Sequence, residues 1–370
     1  MPAQWPSTDQ SKFITGNLLA DPLVQDALAY VQSVVPADLL SIPTSTYISL
    51  STVKYNSDVA KNCYWPGTAC VRSAPGNGYQ ADVYACPQTS TWGISFDDGP
   101  TVDLVNHQDS LAIRQQLDKM KIKGTFFVVG SNVIQNPQIV LDEYNDGQQI
   151  GVHTWTHHPL TTCTNEQIVA EIKYSEALIY NATGHVPKFF RPPYGDVDDR
   201  VRSIVNALGY SVTIWSKDDF AADQTTTSPS IAASLENTVI SSWFAPNRPG
   251  FISLSHDISP FTSGVILSIL QYVQQNRANI SLNIVPIGTC MNMPWYVDGS
   301  AITTTSKTAA ATNTTTLLPS PTTINATTTS ASATASPTTS NVPSGAHRSA
   351  ALTLFPAFAF ACACAALAML

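Results

Sequence analysis

Short apolar runs alternate with longer amphipathic stretches between residues 85 and 297. The runs have the length and composition of buried strands, and the stretches between them have helical periodicity. We predict strands at Trp92–Phe96, Thr125–Val129, Gln149–Val152, Lys188–Phe190, Ser211–Trp215, Gly250–Leu254 and Leu282–Ile287. We predict helices at Asp109–Met120, Thr164–Tyr180, Asp198–Leu208, Ile231–Ser242 and Gly264–Asn276. Because strands that alternate with helices pair in parallel through right-handed crossovers, the region is expected to form a closed or nearly closed α/β barrel.

The segments on either side of this region differ from it in composition. Residues 1–84 contain one amphipathic stretch, Asp21–Val35, and are otherwise loop-like. We expect them to form an appendage that packs on the barrel and has no chemistry of its own. Residues 298–344 are mostly Thr, Ser, Ala and Pro, which cannot bury enough apolar surface to order the chain. They predict a disordered, O-glycosylated stalk, with an unmodified disordered tail as the alternative.

The chain ends in an uncharged apolar run, Ala350–Leu370. Small residues and a short polar spacer precede it, a pattern typical of a GPI-anchor signal. We predict lipid attachment at Ser344 and removal of residues 345–370. A tail-anchored membrane helix is the alternative, although no basic residue follows the run. Since Met1–Gln10 has no signal-peptide pattern, we expect that a natural leader precedes the sequence given.

Charge and cysteine content narrow the function classes further. The net charge is −8 and no basic cluster is present, which argues against nucleic-acid binding as the main role. The cysteines lack zinc-type spacing, so disulfides are expected instead. A disulfide can join Cys86 to Cys290 and another can join Cys63 to Cys70, which leaves Cys163 as a free thiol. Spacing alone does not fix this connectivity.

Glycosylation signals point to the same compartment as the cysteines. N-x-S/T sequons occur at Asn181, Asn279, Asn313 and Asn325. Together with the stalk and the anchor signal, they predict a protein secreted through the ER and held at the cell membrane and cell wall. The only membrane contact expected is through the GPI lipid.

Chemically reactive side chains follow several of the predicted strands. They are Asp97 and Asp98, His153 and His157, Arg191, Asp218 and Asp219, and His256 and Asp257. Functional residues of α/β barrels collect at the carboxyl ends of the strands. We therefore expect these side chains to form one site.

Two histidines and a carboxylate of this set predict a metal site. His153 and His157 are four residues apart, a spacing that puts both on one face of a helical turn. Asp98 can supply the third ligand, and a fourth position left for water makes such a site catalytic.

Acid–base groups can be assigned beside the metal. Neighbouring residues of a strand point in opposite directions, so Asp97 is predicted to be the general base while Asp98 binds the metal. The guanidinium of Arg191 would keep the base ionised. His256 is the predicted general acid, supported by a nearby carboxylate. The alternative for Asp97-Asp98-Gly99-Pro100 is a simple turn.

The motifs that contain these residues resemble those of polysaccharide deacetylases of the NodB type. They are Ser95–Pro100, His153-x-x-x-His157, Arg191–Gly195 and Leu254–Asp257. The resemblance covers roughly residues 86–295 and implies a distorted (β/α)7 barrel, so we place the catalytic domain at 85–297. It further implies a Zn²⁺ or Co²⁺ ion held by Asp98, His153 and His157.

The resemblance also implies roles for residues around the metal. Asp97 would be the base, Arg191 would tether it, and His256 would be the acid. The Tyr194 backbone N–H would stabilise the oxyanion, and Leu254 would line the acetyl-methyl pocket, with Asp97 also contacting the substrate.

One motif departs from the family pattern. An Asp-Trp pair is usual, whereas this chain has Asp218-Asp219-Phe220 after Trp215. Asp219 is predicted to be the supporting acid with Phe220 replacing the tryptophan. Alternatively, Asp218 has that role and the aromatic position is lost.

The substrate implied is chitin or its oligomers, which a monomeric, wall-facing enzyme would deacetylate. Other acetylated polysaccharides, such as xylan or peptidoglycan, are the first alternative. A two-carboxylate glycosidase and a non-catalytic wall mannoprotein are the others; the glycosidase needs two carboxyl groups on either side of one bond.

Overall fold

A computed structural model describes residues 1–298 of the chain, apart from 104 and 106. Asn313, Asn325, Ser344 and the predicted stalk beyond residue 298 lie outside the described residues. Within the described part, no helix is long and apolar enough to cross a membrane.

The predicted strands and helices all have counterparts in the structure. The strands are β1 (Thr46–Ser49), β2 (Thr52–Lys54), β3 (Thr91–Gly93), β4 (Ser95–Asp97), β5 (Thr125–Val128), β6 (Gln149–Val152), β7 (Phe189–Phe190), β8 (Ser211–Val212), β9 (Lys217–Asp218), β10 (Phe251–Leu254) and β11 (Asn283–Val285). The helices are α1 (Pro22–Val34), α2 (Ala37–Leu40), α3 (Trp65–Thr68), α4 (Asp109–Met120), α5 (Gly130–Val133), α6 (Pro137–Asn145), α7 (Asn165–Thr183), α8 (Asp199–Ala207), α9 (Pro229–Trp243), α10 (Pro260–Gln275) and α11 (Ile287–Cys290). The sequence analysis did not predict α6, a nine-residue helix between β5 and β6.

Parallel strands close into a distorted barrel, as expected. One sheet has the order β4-β5-β6-β7-β8, and the other has the order β11-β3-β10-β9. β3 and β4 are two parts of one strand interrupted at Ile94. The sheets meet where Asp97 and His256 form a parallel bridge. There the Asp97 N–H donates to the Ser255 carbonyl at 2.9 Å.

Branched and aromatic side chains fill the barrel core. Strands buried on both faces need near-continuous apolar sequence, which explains the runs seen in the sequence. The fully buried core residues include Phe96, Phe126, Ile150, Val152, Phe190 and Val212. The reactive side chains that follow the strands therefore lie beyond this apolar core, at the strand ends.

The N-terminal segment packs against the barrel helices. Helix α1 begins at Pro22, and the Asp21 carboxylate accepts a hydrogen bond from the Leu23 N–H at 2.9 Å. Such an N-cap satisfies an otherwise unpaired helix donor. The buried face of α1, which includes Val24 and Val31, contacts α7.

Both expected disulfides are present. Cys63 bonds to Cys70, and Cys86 bonds to Cys290. Cys163 is a buried free thiol. The sequon residues Asn181 and Asn279 are both exposed, so nothing in their burial prevents modification.

Candidate metal centre and catalytic cleft

A cleft opens at the carboxyl ends of the strands, where the reactive residues were expected. Its lining includes Asp97, Asp98, His153, His157, Tyr194, Trp215, Asp218, Leu254 and His256. Arg191 and Asp219 lie behind this lining and are fully buried. The structure thus brings all the predicted site residues of the barrel to one place.

Asp98, His153 and His157 form a candidate metal-binding triad. The Asp98 Oδ1 atom lies 3.1 Å from His153 Nε2 and 2.9 Å from His157 Nε2. The ligand atoms of the three side chains all lie within 4.8 Å of one another. Among the described residues, no other group of three or more His, Cys, Asp or Glu side chains meets this criterion.

Hydrogen bonds on the far side of the rings orient the triad. His153 Nδ1 lies 2.7 Å from the Arg191 carbonyl oxygen, which can only accept, so Nδ1 carries the proton. His157 Nδ1 lies 3.1 Å from the Tyr194 hydroxyl. In the neutral His153 ring, the Nε2 lone pair then faces the Asp98 carboxylate. Two facing acceptors repel unless a cation lies between them, so these residues fit a divalent metal ion.

Electrostatics at the triad favour positive charge. Burial opposes ionisation of Asp98, but His157 and His153 outweigh it and hold the pKa of this carboxyl well below its usual range. Burial also opposes protonation of His153, but Asp97 and Asp98 raise its pKa overall. The Asp98 carboxylate is therefore ionised and available as a ligand.

The backbone around the two histidines is not helical, so the expected helical turn is wrong. Thr154 and His157 have φ of 67° and 59°. The Thr154 hydroxyl accepts a hydrogen bond from the His157 N–H at 3.1 Å, which closes a tight irregular loop after β6. The four-residue spacing brings the rings together through this loop.

Asp97 and Asp98 also differ from the simple strand geometry. Asp98 has φ of 78°, a left-handed conformation that Asp tolerates better than most residues. Its carboxylate therefore does not point away from that of Asp97, and His153 Nε2 lies 3.7 Å from Asp97 Oδ2. Both carboxylates face the same cleft.

A buried ion pair holds Asp97. Arg191 Nη1 donates to Asp97 Oδ1 at 2.7 Å and to the Ser95 hydroxyl at 2.8 Å. The guanidinium carbon lies 4.3 Å from the centre of the Phe127 ring. Burial lowers the pKa of Arg191, and the charge of Asp97 opposes this effect. Removing either partner would leave a buried charge uncompensated.

His256 lies beside Asp97, its parallel bridge partner where the two sheets meet. Its Nε2 is 3.9 Å from Asp98 Oδ2. Its Nδ1 is buried and has no hydrogen-bond partner among the described residues. Support by a direct bond from Asp257 is therefore not observed. The Asp257 carboxylate instead packs against Gly99, where an added Cβ would lie 2.7 Å from both its oxygens.

In the motif that departs from the family pattern, the aromatic side chain that lines the cleft is Trp215 and not Phe220. Phe220 is 47% exposed and does not line the catalytic cleft, so it does not replace the family tryptophan there. Trp215 lines the cleft, with its ring centre 5.8 Å from the Arg191 guanidinium carbon. Asp219 Oδ1 accepts from the Ala221 N–H at 3.0 Å. Of the two aspartates in this motif, Asp218 is the one that lines the cleft. Burial, more than any other factor, raises the pKa of Asp218 to about 7.

Glu171 is a site residue that sequence reasoning missed. It lies on α7, and its Oε2 accepts from the Trp155 and Thr156 N–H groups, both at 2.8 Å. Its Oε1 accepts from the Thr156 hydroxyl at 2.6 Å. The carboxylate thus fixes the loop that carries the histidines. A glutamate on the apolar face of a helix, three residues after Ile168, was the available signal.

The N-terminal segment, which packs on the barrel, also reaches the cleft. Ser51, in the turn between β1 and β2, is part of the cleft lining. Residues 1–84 therefore do more than cover the barrel. Composition could not reveal this contact, because the segment and the site are far apart in sequence.

Comparison with known proteins identifies what the chain is similar to. The sequence profile described as "Polysaccharide deacetylase" matches residues 85–213. A chitin deacetylase of Amylomyces rouxii is 33% identical over 257 residues, which cover 68% of this chain and 58% of that protein. Chitin deacetylase 1 of Cryptococcus neoformans is 33% identical over 314 residues, with 78% and 61% covered. The chain thus spans about three fifths of the length of these relatives.

Solved structures support the fold. The chitin deacetylase of Colletotrichum lindemuthianum superposes with a TM-score of 0.52 at 22% identity, covering 58% of this chain and 95% of that one. A peptidoglycan N-acetylglucosamine deacetylase gives a TM-score of 0.51 at 23% identity, covering 58% and 94%. At this level of identity, the likeness concerns the barrel alone.

Proposed function

Because the chain belongs to the polysaccharide deacetylase family through residues 85–213, we propose that it is a metal-dependent chitin deacetylase. It would hydrolyse the N-acetyl groups of N-acetylglucosamine polymers to give chitosan and acetate. The observation that carries the proposal is the triad of Asp98, His153 and His157 beside the ion-paired Asp97. As a hydrolase, it would act on a linear amide C–N bond.

The residues of the cleft can be given roles in this reaction. A Zn²⁺ or Co²⁺ ion held by the triad would polarise the acetyl carbonyl and make the attacking water more acidic. Asp97 would take the proton of the water as its oxygen adds to the acetyl carbon. His256 would give a proton to the nitrogen as the C–N bond breaks, which releases the amine and acetate.

Other residues would orient the substrate. Arg191 keeps Asp97 in its rotamer through the buried ion pair, at 2.7 Å. The Tyr194 N–H is the proposed donor to the oxyanion. Leu254, 7% exposed in the cleft lining, is proposed to contact the acetyl methyl group. Asp219, whose backbone N–H donates to the Leu254 carbonyl at 3.3 Å, two residues before His256, is the proposed supporting acid.

Chitin is favoured as the substrate by the relatives. Proteins at 33% identity, matched over 68% and 78% of this chain, are named chitin deacetylases. The separation of roles between Asp98 and Asp97 also argues against a glycosidase, which needs two carboxylates on either side of a glycosidic bond.

We expect purified protein to release acetate from chitin oligomers and to stop when a chelator removes the metal. Addition of Zn²⁺ or Co²⁺ should restore the rate, because the triad is made of protein side chains that remain in place. Acetate release and oligomer length are both measured, by enzymatic acetate assay and mass spectrometry. Shortened oligomers without acetate would indicate a glycosidase, and unchanged release in chelator would contradict metal dependence.

We also propose that the protein is secreted, acts as a monomer and is held by a GPI lipid near Ser344. The small residues, spacer and apolar run Ala350–Leu370 support this proposal. A phospholipase specific for GPI lipids should release the enzyme from membranes of cells that express it with a secretion leader. A matched form ending at Ser340 should be found in the medium. Retention after phospholipase, with the peptide Ala350–Leu370 detected by mass spectrometry, would instead support a tail anchor.

A further inference from the structure

Two further surface depressions adjoin the catalytic cleft, and the N-terminal segment lines both. One shares Trp215 and Asp218 with the cleft. The other shares Ser51 and Tyr194 with it. A polymer bound in the cleft would therefore continue over surfaces that lie partly outside the region of family resemblance.

The loop closed by the Cys63–Cys70 disulfide separates the two depressions. The Trp65 N–H in this loop donates to the Val197 carbonyl at 3.0 Å. The Arg202 guanidinium donates to the carbonyls of Cys63 at 2.6 Å and Cys70 at 3.2 Å. These bonds and the disulfide fix the loop on the barrel, so side chains on it are held in place before a ligand binds.

The depression beside Trp215 is rich in aromatic side chains. We call it the aromatic groove; its lining includes Trp65, Tyr84, Trp215, Phe220 and Trp243. Of these, Phe220 is 47% exposed, and Trp65, Tyr84 and Trp215 are half-buried. The groove thus presents apolar ring surface to solvent directly beside the cleft.

Trp65 packs against the Arg191–Gly195 motif, which lies beside the metal centre. Its ring centre lies 4.6 Å from that of Trp215, with the planes at 59°. Gly195 has φ of 64°, and a Cβ there would lie 2.4 Å from the Trp65 ring. The glycine of the Arg191–Gly195 motif therefore leaves the space that the indole of Trp65 occupies.

We propose that the aromatic groove binds a pyranose ring adjacent to the one deacetylated, with Trp65 as a specificity-determining residue for oligomer length. Sugar rings present apolar C–H faces, and rigid aromatic side chains bind such surfaces with little entropy cost. Because Trp215 lines both cavities, one oligomer can occupy both at once. The inference rests on the proposed function, since it extends the same substrate beyond the cleft.

The test measures binding separately from turnover. Affinities for the dimer and the hexamer of N-acetylglucosamine are determined by calorimetry on the metal-loaded Asp97→Asn protein. Adding Trp65→Ala should lower the hexamer-to-dimer affinity ratio by about 10-fold or more, as expected for a central aromatic contact. Trp65→Phe should recover part of the ratio. Tyr30→Ala, which removes an exposed ring on α1, is the control and should leave the ratio as it was.

Phe220→Ala is a second groove variant, which tests the proposal even if Trp65→Ala does not fold. Its side chain is largely exposed, so the variant should keep the unfolding midpoint and still lower the ratio. Unchanged ratios in both variants would overturn the inference. Acetate release by the protein with Asp97 intact is measured in parallel. If no acetate is released while the ratio falls in both variants, the groove stands as an oligomer-binding site and the proposed deacetylase activity fails.

Discussion

Replacement of His153 by alanine should remove both metal binding and acetate release. His153 Nε2 is one of three ligand atoms that converge in the triad, and two ligands hold a divalent ion far less tightly than three. Loss of the ion removes several kcal/mol of transition-state stabilisation, so the rate should fall by about 10³-fold or more. Metal content is measured by elemental analysis after dialysis, and acetate release is measured on chitin oligomers.

Asp98→Ala should also remove metal binding and acetate release, but a second substitution is needed to separate loss of the ligand from backbone strain. Asp98 has φ of 78°, so alanine adds backbone strain to the loss of the ligand. Asp98→Asn tolerates that backbone and keeps an oxygen while it removes the charge, which isolates the electrostatic contribution. His107→Ala, at an exposed histidine, is the matched control and should retain metal and activity. Full activity in a metal-free His153→Ala protein would contradict the mechanism.

Asp97→Asn should separate the base from the metal. The ion should still bind, because Asp98, His153 and His157 are unchanged. Turnover should fall by about 100-fold or more, the usual effect of removing a positioned general base. The asparagine carbonyl can still accept from Arg191, so the unfolding midpoint should change less than in Asp97→Ala, where the buried guanidinium loses its partner.

The control for this variant is Asp223→Asn, which changes an exposed carboxylate in the cleft lining and should retain both metal and rate. If metal is lost from Asp97→Asn and kept in Asp98→Asn, the two aspartates have been assigned the wrong way round. Metal content and rate are therefore measured on the same preparations of each variant.

The barrel and the location of its site could be predicted because local sequence determines both. Parallel strands buried on two faces require the apolar runs that the chain shows, such as Thr125–Val128. The reactive side chains that follow these apolar runs must then lie at one face of the barrel. The disulfide between Cys86 and Cys290 was one of the pairs that the sequence left open; in the fold, both sulfur atoms lie against Gly93 of β3.

The details of the site could not be predicted because they depend on backbone conformations and distant contacts. The left-handed backbone at Asp98 and His157 breaks the simple strand and helix rules that assign directions to side chains. Likewise, nothing near Trp65 in sequence indicates that its ring fills the space beside Gly195. The prediction that Phe220 replaces the tryptophan was wrong because its half-exposed side chain lines the aromatic groove and not the catalytic cleft.

The bridge between Asp97 and His256 couples the closure of the barrel to the spacing of the proposed base and acid. A slip of one residue between β4 and β10 would move one group past the other by about 3.3 Å and turn its side chain to the opposite face. A protein engineer who wishes to retune this scaffold should therefore leave the joint untouched. The hairpin around Ser51 and the disulfide-closed loop around Trp65 are better places for variation, because they border the cleft and lie outside the barrel ring.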